Sequence, residues 1–354
     1  MGSTTKERLL SIYLRTLELC APENLVRAKV DASMPRNVVA IGKCAGSLLD
    51  GVAAVHDIEH AFVAMPHGYR LPLSAAEVWL GGHPEMTPAS FAAGRALLEF
   101  VDRFDDILFL VSGGGSACVE APQAPFTEHE VAEANARLVA SGASIAEINA
   151  ERRRRSAIKG GRLRSRVRGR VVTLVYSDVS TGALHDVASG PTIDDSGQAI
   201  LIADNRTLTR TAASLLGSAA VELDDQVECD VDEAAERLAS AVRSLDRGQV
   251  LVAGGEPTVV VRGAGRGGRC SELAVRFAMR SGSAALFGSS DGLDGNSGVA
   301  GFLLPPRSAF GPDPGWTERL EQSDSFAIAA QVGEPIMIAP AGNNLRDLFL
   351  VARD

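Results

Sequence analysis

DILFLVSGGGS, residues Asp106 to Ser116, is the stretch on which the fold turns. Its apolar run, Ile107 to Val111, is unbroken, as in a strand covered on both faces; a strand with one wet face would alternate. The run ends on Ser112, Gly113, Gly114 and Gly115, and Ser116 then opens a series of small residues that a helix accepts. Strand, glycine turn and helix form the unit from which parallel sheets are built. Similar runs recur in VVAIG (Val38 to Gly42), RVVTLVYSD (Arg170 to Asp178), VLVAGGE (Val250 to Glu256) and ALFGSSDG (Ala285 to Gly292). Amphipathic helical stretches lie between most of them, at Pro88 to Phe104, Thr127 to Leu138, Asp204 to Leu216 and Asp232 to Leu245. The pattern predicts an α/β protein with a parallel sheet covered on both faces. An acidic, loop-like stretch from Glu222 to Asp232 predicts a domain boundary, giving domains 1–230 and 231–354.

The 354 residues carry a net charge of −9, with 45% hydrophobic and 22% charged residues, an ordinary globular balance. No apolar run reaches the ~18–20 residues needed to span a bilayer, and the N-terminus lacks the apolar core of a signal peptide. The five cysteines (Cys20, Cys44, Cys118, Cys229, Cys270) are scattered without a CxxC pair, which predicts reduced thiols in a cytoplasmic protein. One bias stands out: of 35 basic residues only Lys6, Lys29, Lys43 and Lys159 are lysine.

In parallel α/β sheets ligands bind beyond the carboxyl ends of the strands, and here those ends carry the unusual residues. The three glycines after Val111 let consecutive amides converge on a phosphate or carboxylate. Lys43 follows the first strand between Gly42 and Gly46, a compact cation aimed at the sheet edge. The loop GAGRGGR places Arg266 and Arg269 among glycines, where guanidinium groups can approach an anion bidentately, after a hairpin-like Thr258 to Arg262 and before a helix opening at Ser271. Asp178, Asp291 and Asp294 stand just past strands, as candidates for Mg2+ or for a substrate hydroxyl proton. Asp-Gly is also a common turn former, and this weighs against Asp291 or Asp294 alone.

Between Arg152 and Arg170 lie ten positive residues, which raises nucleic-acid binding. No aromatic residue is interleaved and the whole chain is acidic, so the run reads as a solvated helix face. Lys159, followed by Gly160 and Gly161, repeats the lysine-glycine pairing of Lys43. GxxxxGK[ST] is absent, and no GxGxxG opens a βαβ unit, so a kinase outside the P-loop class fits better than a dehydrogenase.

In order, the chain reads GKCAG, GGHPEMT, VSGGGSA, SGASIAEINAERRRRSAIKGGRL, SDVS with ASGPT, DNRT, GGEPTV, GRGGR, SDGLDG and APAGNNLRDL. This series resembles the class II D-glycerate 2-kinases, which join an N-terminal glycerate-kinase domain to a C-terminal MOFRL domain. The resemblance implies a Rossmann-like first domain, a second, smaller α/β domain and an active site between them. It implies ATP- and Mg2+-dependent phosphorylation of a small hydroxy acid, D-glycerate or a related sugar acid, with no nucleic-acid or membrane partner and room for a homodimer. On that carry-over Lys43, Arg269 and Asp291 are catalytic. Gly113, Gly114, Gly115, Ser116, Asn149, Arg152, Lys159, Glu256 and Arg266 bind substrate or phosphate, and Asp178 and Asp294 hold metal.

The departures from the family pattern sit in the same loops. SDVSTGA has Gly182 and Ala183 at two acidic positions, Arg154 replaces a histidine, Cys270 and Ser271 replace an amide pair, and Gly298 replaces an aspartate. They imply either an acceptor other than glycerate or a weakened enzyme that binds a nucleotide or acid. The retained Lys43, glycine triplet, Arg269 and DGLDG favour a working kinase.

Overall fold

A computed structural model describes residues 4–141, 144–179, 182–193, 199–307, 313–339 and 342–353; Ser180 of SDVS and residues 340–341 of the closing motif lie outside them. The chain divides into two compact units, Ala21–Asp204 and Met1–Cys20 with Asn205–Asp354. Among the described residues no helix is long and apolar enough to cross a membrane.

The first unit is built on six strands: β1 (Asn37–Ile41), β2 (His60–Pro66), β3 (Glu77–Gly81), β4 (Ile107–Ser112), β5 (Val171–Tyr176) and β6 (Ile200–Ala203). They run in the order β3-β2-β1-β4-β5-β6, and every pairing is parallel. All six residues of β4 are buried, as its unbroken apolar run requires. The strand order reverses between β1 and β4, so the loops leaving these two strands diverge and open a crevice at their carboxyl ends. Helix Pro88–Arg103 shows how one face is covered: Thr87 caps it, Pro88 occupies its first position, and Leu97, Phe100 and Val101 point inward. They join Val39, Phe62 and Phe109 in one core.

The second unit holds β7 (Ala220–Glu222), β8 (Val250–Gly255), β9 (Ala285–Ser289), β10 (Gly301–Leu304), β11 (Glu334–Ile336) and β12 (Asp347–Ala352), ordered β11-β10-β9-β12-β8-β7. Here the expectation of a parallel sheet fails, because only β7 and β8 run parallel. The last strand, β12, returns between β8 and β9 and pairs antiparallel with both. Every residue of β8, β9 and β12 is buried, so none shows the alternation that marks an antiparallel strand with one wet face.

The compact division also differs from the expected boundary at 230/231. Helix Asn205–Leu216 packs on β8, and β7 pairs with it, so residues 205–230 belong with the C-terminal part. The first helix, Thr5–Leu19, joins the same unit. Its Leu9, Tyr13 and Thr16 are buried, and the Tyr13 hydroxyl donates to the Ser289 carbonyl at 2.6 Å. The Tyr13 ring lies over Gly288, where a Cβ would stand 2.7 Å from its Cε2. The hairpin expected at Thr258 to Arg262 does not form: Thr258 makes one bridge, to Asp230, and Val260 and Val261 stay exposed. The following helix spans Arg269–Arg280, beginning two residues before Ser271.

Candidate active site

In the first unit the crevice between β1 and β4 gathers most of the singled-out residues. The Ser112 hydroxyl donates to the Ile41 carbonyl at 3.1 Å and accepts the Cys44 amide at 3.1 Å; the Lys43 amide donates to the Gly113 carbonyl at 2.8 Å. These bonds lock the two strand ends together. Gly114, at φ +81°, leaves room for Lys43: a Cβ there would meet Lys43 Cγ at 2.8 Å and His83 Cδ2 at 3.4 Å. A Cβ on Gly113 would fall on the Asp178 carboxylate, which follows β5. Lys43, His83, the glycine turn and Asp178 thus share one edge, and the Lys43 ammonium lies 5.7 Å from the Tyr69 ring centre. Burial, with the charges of Lys43 and Arg152, pulls His83 down to about 4, so this imidazole is neutral at pH 7.

Behind the turn runs a chain of hydrogen bonds. Ser116 Oγ lies 2.9 Å from Ser189 Oγ, Ser189 donates to Asn149 Oδ1 at 2.8 Å, and Asn149 Nδ2 donates to Asp186 Oδ1 at 3.2 Å. Asp186 is paired with Arg153 at 2.6 Å. Asn149, expected to bind substrate, is therefore buried inside this chain. Lys159 likewise differs from expectation. It is fully buried and ion-paired with Glu120, whose other oxygen accepts the Ser156 hydroxyl at 2.5 Å and the Ala121 amide at 2.9 Å. An ammonium committed to an equally buried carboxylate cross-links the unit and is not offered to a ligand. Arg152 donates through Nε to Asn135 Oδ1 at 2.8 Å, and its charge reaches His83.

In the second unit Arg269 anchors a charged network. Its Nε donates to Asp347 Oδ2 at 2.6 Å and its Nη2 to Oδ1 at 3.1 Å, while Nη1 pairs with Glu256 at 2.8 Å. Burial opposes the Arg269 charge, but Asp347 and Glu256 outweigh it and hold its pKa above the ordinary value. Burial pushes the Asp347 carboxyl up to about 6 against the pull of Arg269. Glu256 also takes Arg346 Nε at 3.0 Å, and Arg346 bonds Glu228 and Gln226 as well. Glu256, Arg269 and Arg346 border a pocket of about 630 Å³ with Val259 and Val261.

The remaining residues of this unit hold the loops. Asp294 is buried, and its two oxygens accept the Cys270 and Ser271 amides at 2.8 and 2.9 Å, capping helix 269–280. Asp291 accepts from the Ser289 hydroxyl at 2.8 Å and the Leu293 amide at 3.1 Å, a local turn. Arg266 does not join Arg269 in a clamp: its Nε donates to the Ser297 carbonyl at 2.7 Å, and its guanidinium lies 3.8 Å from the Phe326 ring centre. Lys43 stands in the first unit, Arg269 and Asp291 in the second. Among the described residues no three His, Cys, Asp or Glu side chains gather to cage a metal ion. Magnesium asks for less, one or two carboxylates with nucleotide phosphates supplying the rest, and Asp178 beside the glycine turn meets that requirement.

Two family models match the chain: a domain of unknown function (DUF4147) over residues 8–216, and the MOFRL family over residues 249–347. A D-glycerate 2-kinase of Thermotoga maritima is 29% identical over 98% of this chain and 97% of its own length. The chain belongs to the glycerate 2-kinase family. The crystal structure of a Thermotoga maritima glycerate kinase superposes with a TM-score of 0.88 at 28% identity, covering 99% of both chains. A relative from Agrobacterium vitis, 30% identical over 88% of this chain and 85% of its own length, carries a provisional name, hydroxypyruvate reductase.

Within this glycerate 2-kinase family member, the two substituted positions after Gly268 have structural work. Cys270 is buried, and the Ser271 hydroxyl accepts the Gly268 amide at 2.7 Å and lies 2.9 Å from Ser325 Oγ. Sequence reasoning missed His83, Ser189, Asp186, Arg346 and Asp347. The GGHP, ASGPT and NNLRDL motifs carried four of them, but nothing local showed which partners far along the chain they meet.

Proposed function

We propose that the chain, a phosphotransferase with an alcohol group as acceptor, transfers the γ-phosphoryl group of ATP to a hydroxyl of D-glycerate or a closely related small hydroxy acid. The observation that carries this reading is Lys43 held against the Gly113–Gly115 turn where the strand order reverses. Phosphoryl transfer asks a protein for positioning and for positive charge on developing oxyanions, with little covalent chemistry. In this reading Lys43 binds the transferring phosphoryl group, and the Gly113–Gly115 amides and the Arg152 charge favour an anion beside it. Arg269 stabilises charge at the transition state, its orientation fixed by Asp347 and Glu256. A bound Mg2+ would neutralise phosphate charge, with Asp178 as its protein ligand. His83, neutral at pH 7, offers a hydrogen bond without adding charge.

The test is ADP release from ATP, Mg2+ and D-glycerate, with NADH oxidation by hydroxypyruvate run in parallel. The kinase reading expects ADP from the wild type and a loss of about a hundredfold or more in kcat/KM for both Lys43→Ala and Arg269→Ala. Hydroxypyruvate-dependent NADH oxidation without ADP release would assign the chain to reduction instead. Ligand-raised thermal stability with no turnover on any hydroxy acid would leave a binding protein.

A further inference from the structure

We propose that Ser116 meets the substrate as a hydrogen-bond acceptor, receiving a hydroxyl of the acceptor acid and not a phosphoryl oxygen, and that Ser189 is the positioning residue that enforces this. The inference rests on the kinase reading above.

The argument follows the protons. Arg153 holds the Asp186 carboxylate at 2.6 Å, so Asp186 acts as an acceptor. Asn149 Nδ2 points at Asp186 Oδ1, 3.2 Å away, and at the Asp186 carbonyl, 3.4 Å away. Turned over, the carboxamide would set its oxygen against two acceptors, so Asn149 Oδ1 must face Ser189. That oxygen has no proton, and Ser189 gives it one at 2.8 Å. A serine hydroxyl has a single proton. At the 2.9 Å contact between the two serines the donor is therefore Ser116. With its proton spent inward, Ser116 keeps only lone pairs for a ligand. Phosphoryl and carboxylate oxygens also offer only lone pairs, whereas an alcohol supplies the missing proton. Ser116 is half-buried, directly beyond the Gly113–Gly115 turn, so its free lone pairs belong to the same edge as Lys43.

The backbone gives a second, independent sign that Ser189 is there for its hydroxyl. Ala188, Ser189 and Gly190 are consecutive residues at φ +52°, +60° and +65°. Glycine adopts that region without strain and serine does not. Ser189 is fully buried, so its side chain serves no solvent contact, and what it adds over glycine is the hydroxyl that joins Ser116 to Asn149.

The test measures KM for D-glycerate, KM for ATP, kcat and Tm in Ser116→Ala, Ser189→Gly and the double variant. Ser116→Ala is expected to raise the glycerate KM about tenfold, the effect of one hydrogen bond, with the ATP KM within about twofold. Ser189→Gly is expected to raise it several-fold with Tm little changed, because relief of backbone strain offsets the lost hydrogen bond to Asn149. The double variant should be no worse than Ser116→Ala, since both changes act through one hydroxyl. A glycerate KM unchanged in Ser116→Ala, or a rise in the ATP or Mg2+ requirement in its place, overturns the proposal. Calorimetric titration of D-glycerate into the same proteins separates the two readings. Binding by the wild type that Ser116→Ala does not weaken sinks this inference alone. No binding and no ADP from the wild type sinks the kinase reading and this inference with it.

Discussion

Lys43 and Lys159 carry the same signature, lysine beside glycine in an arginine-rich chain, yet they do opposite things. Lys159 lies with Glu120 inside the first unit. Lys159→Ala would strand that carboxylate and should cost about 3–5 kcal/mol in a urea unfolding experiment. Lys43→Ala, at a half-buried loop position, should shift stability far less while removing activity. A urea midpoint for Lys159→Ala equal to wild type would show that Glu120 finds another partner. His83 makes a prediction in pH. Its folded value is pulled to about 4 from an ordinary 6.5. As the pH falls from 6.5 towards 4 the unfolded chain takes up a proton that the folded chain refuses. The contribution to stability is therefore complete above about 6.5 and lost on acidification. Tm profiles from pH 7 to pH 4 should fall less steeply for His83→Gln than for wild type. Ala188 and Ser189 add strain of about 1–3 kcal/mol each, a cost that a purely structural turn could avoid with glycine.

Among the elements, helix 269–280 shows how a residue's apparent chemistry depends on its neighbour. Asp294 follows a strand in an Asp-Gly motif and reads as a metal ligand, and in the fold the helix start lies against it, with one helix amide on each of its oxygens. Asp294→Ala should destabilise the protein by about 1–2 kcal/mol, measurable by chemical unfolding, as for the loss of an N-terminal cap. If Asp294 were a metal ligand instead, the same change would shift the Mg2+ dependence of turnover and spare stability. The strands β1 and β4 were legible because an unbroken apolar run followed by glycine is a local signal, and β5 because its largely apolar run ends on Ser177 and Asp178. Helix 88–103 was legible from its period. The hairpin at Thr258 to Arg262 was not, since a valine-rich run reads as strand whether or not a partner strand comes to pair with it.

For the molecule as a whole, the order of segments along the chain misleads about where they fold. Residues 5–19 open the sequence but pack on β9, with Tyr13 wedged over Gly288 and bonded to Ser289. Tyr13→Ala should cost about 3–5 kcal/mol, as for a buried aromatic residue cut to a methyl group. Unfolding followed by tryptophan fluorescence and by circular dichroism would measure it. A change below about 1 kcal/mol would mean that the helix adds little to that unit.

The sequence by itself determined the α/β class, the parallel sheet of the first unit, the glycine turn after β4 and the family. Each rests on periodicity or on motifs read within a few residues of one another. Only the tertiary structure decided that β12 returns antiparallel between β8 and β9, that Lys159 is sealed against Glu120, and that Arg269 is held by Asp347. It alone decided that Ser116 spends its proton on Ser189. These are pairings between residues about 40 to 100 positions apart, fixed by which strands lie side by side and by the need of every buried charge and hydroxyl for a partner. A single sequence carries the residues of such pairs, but their matching is settled only when the chain has closed around them.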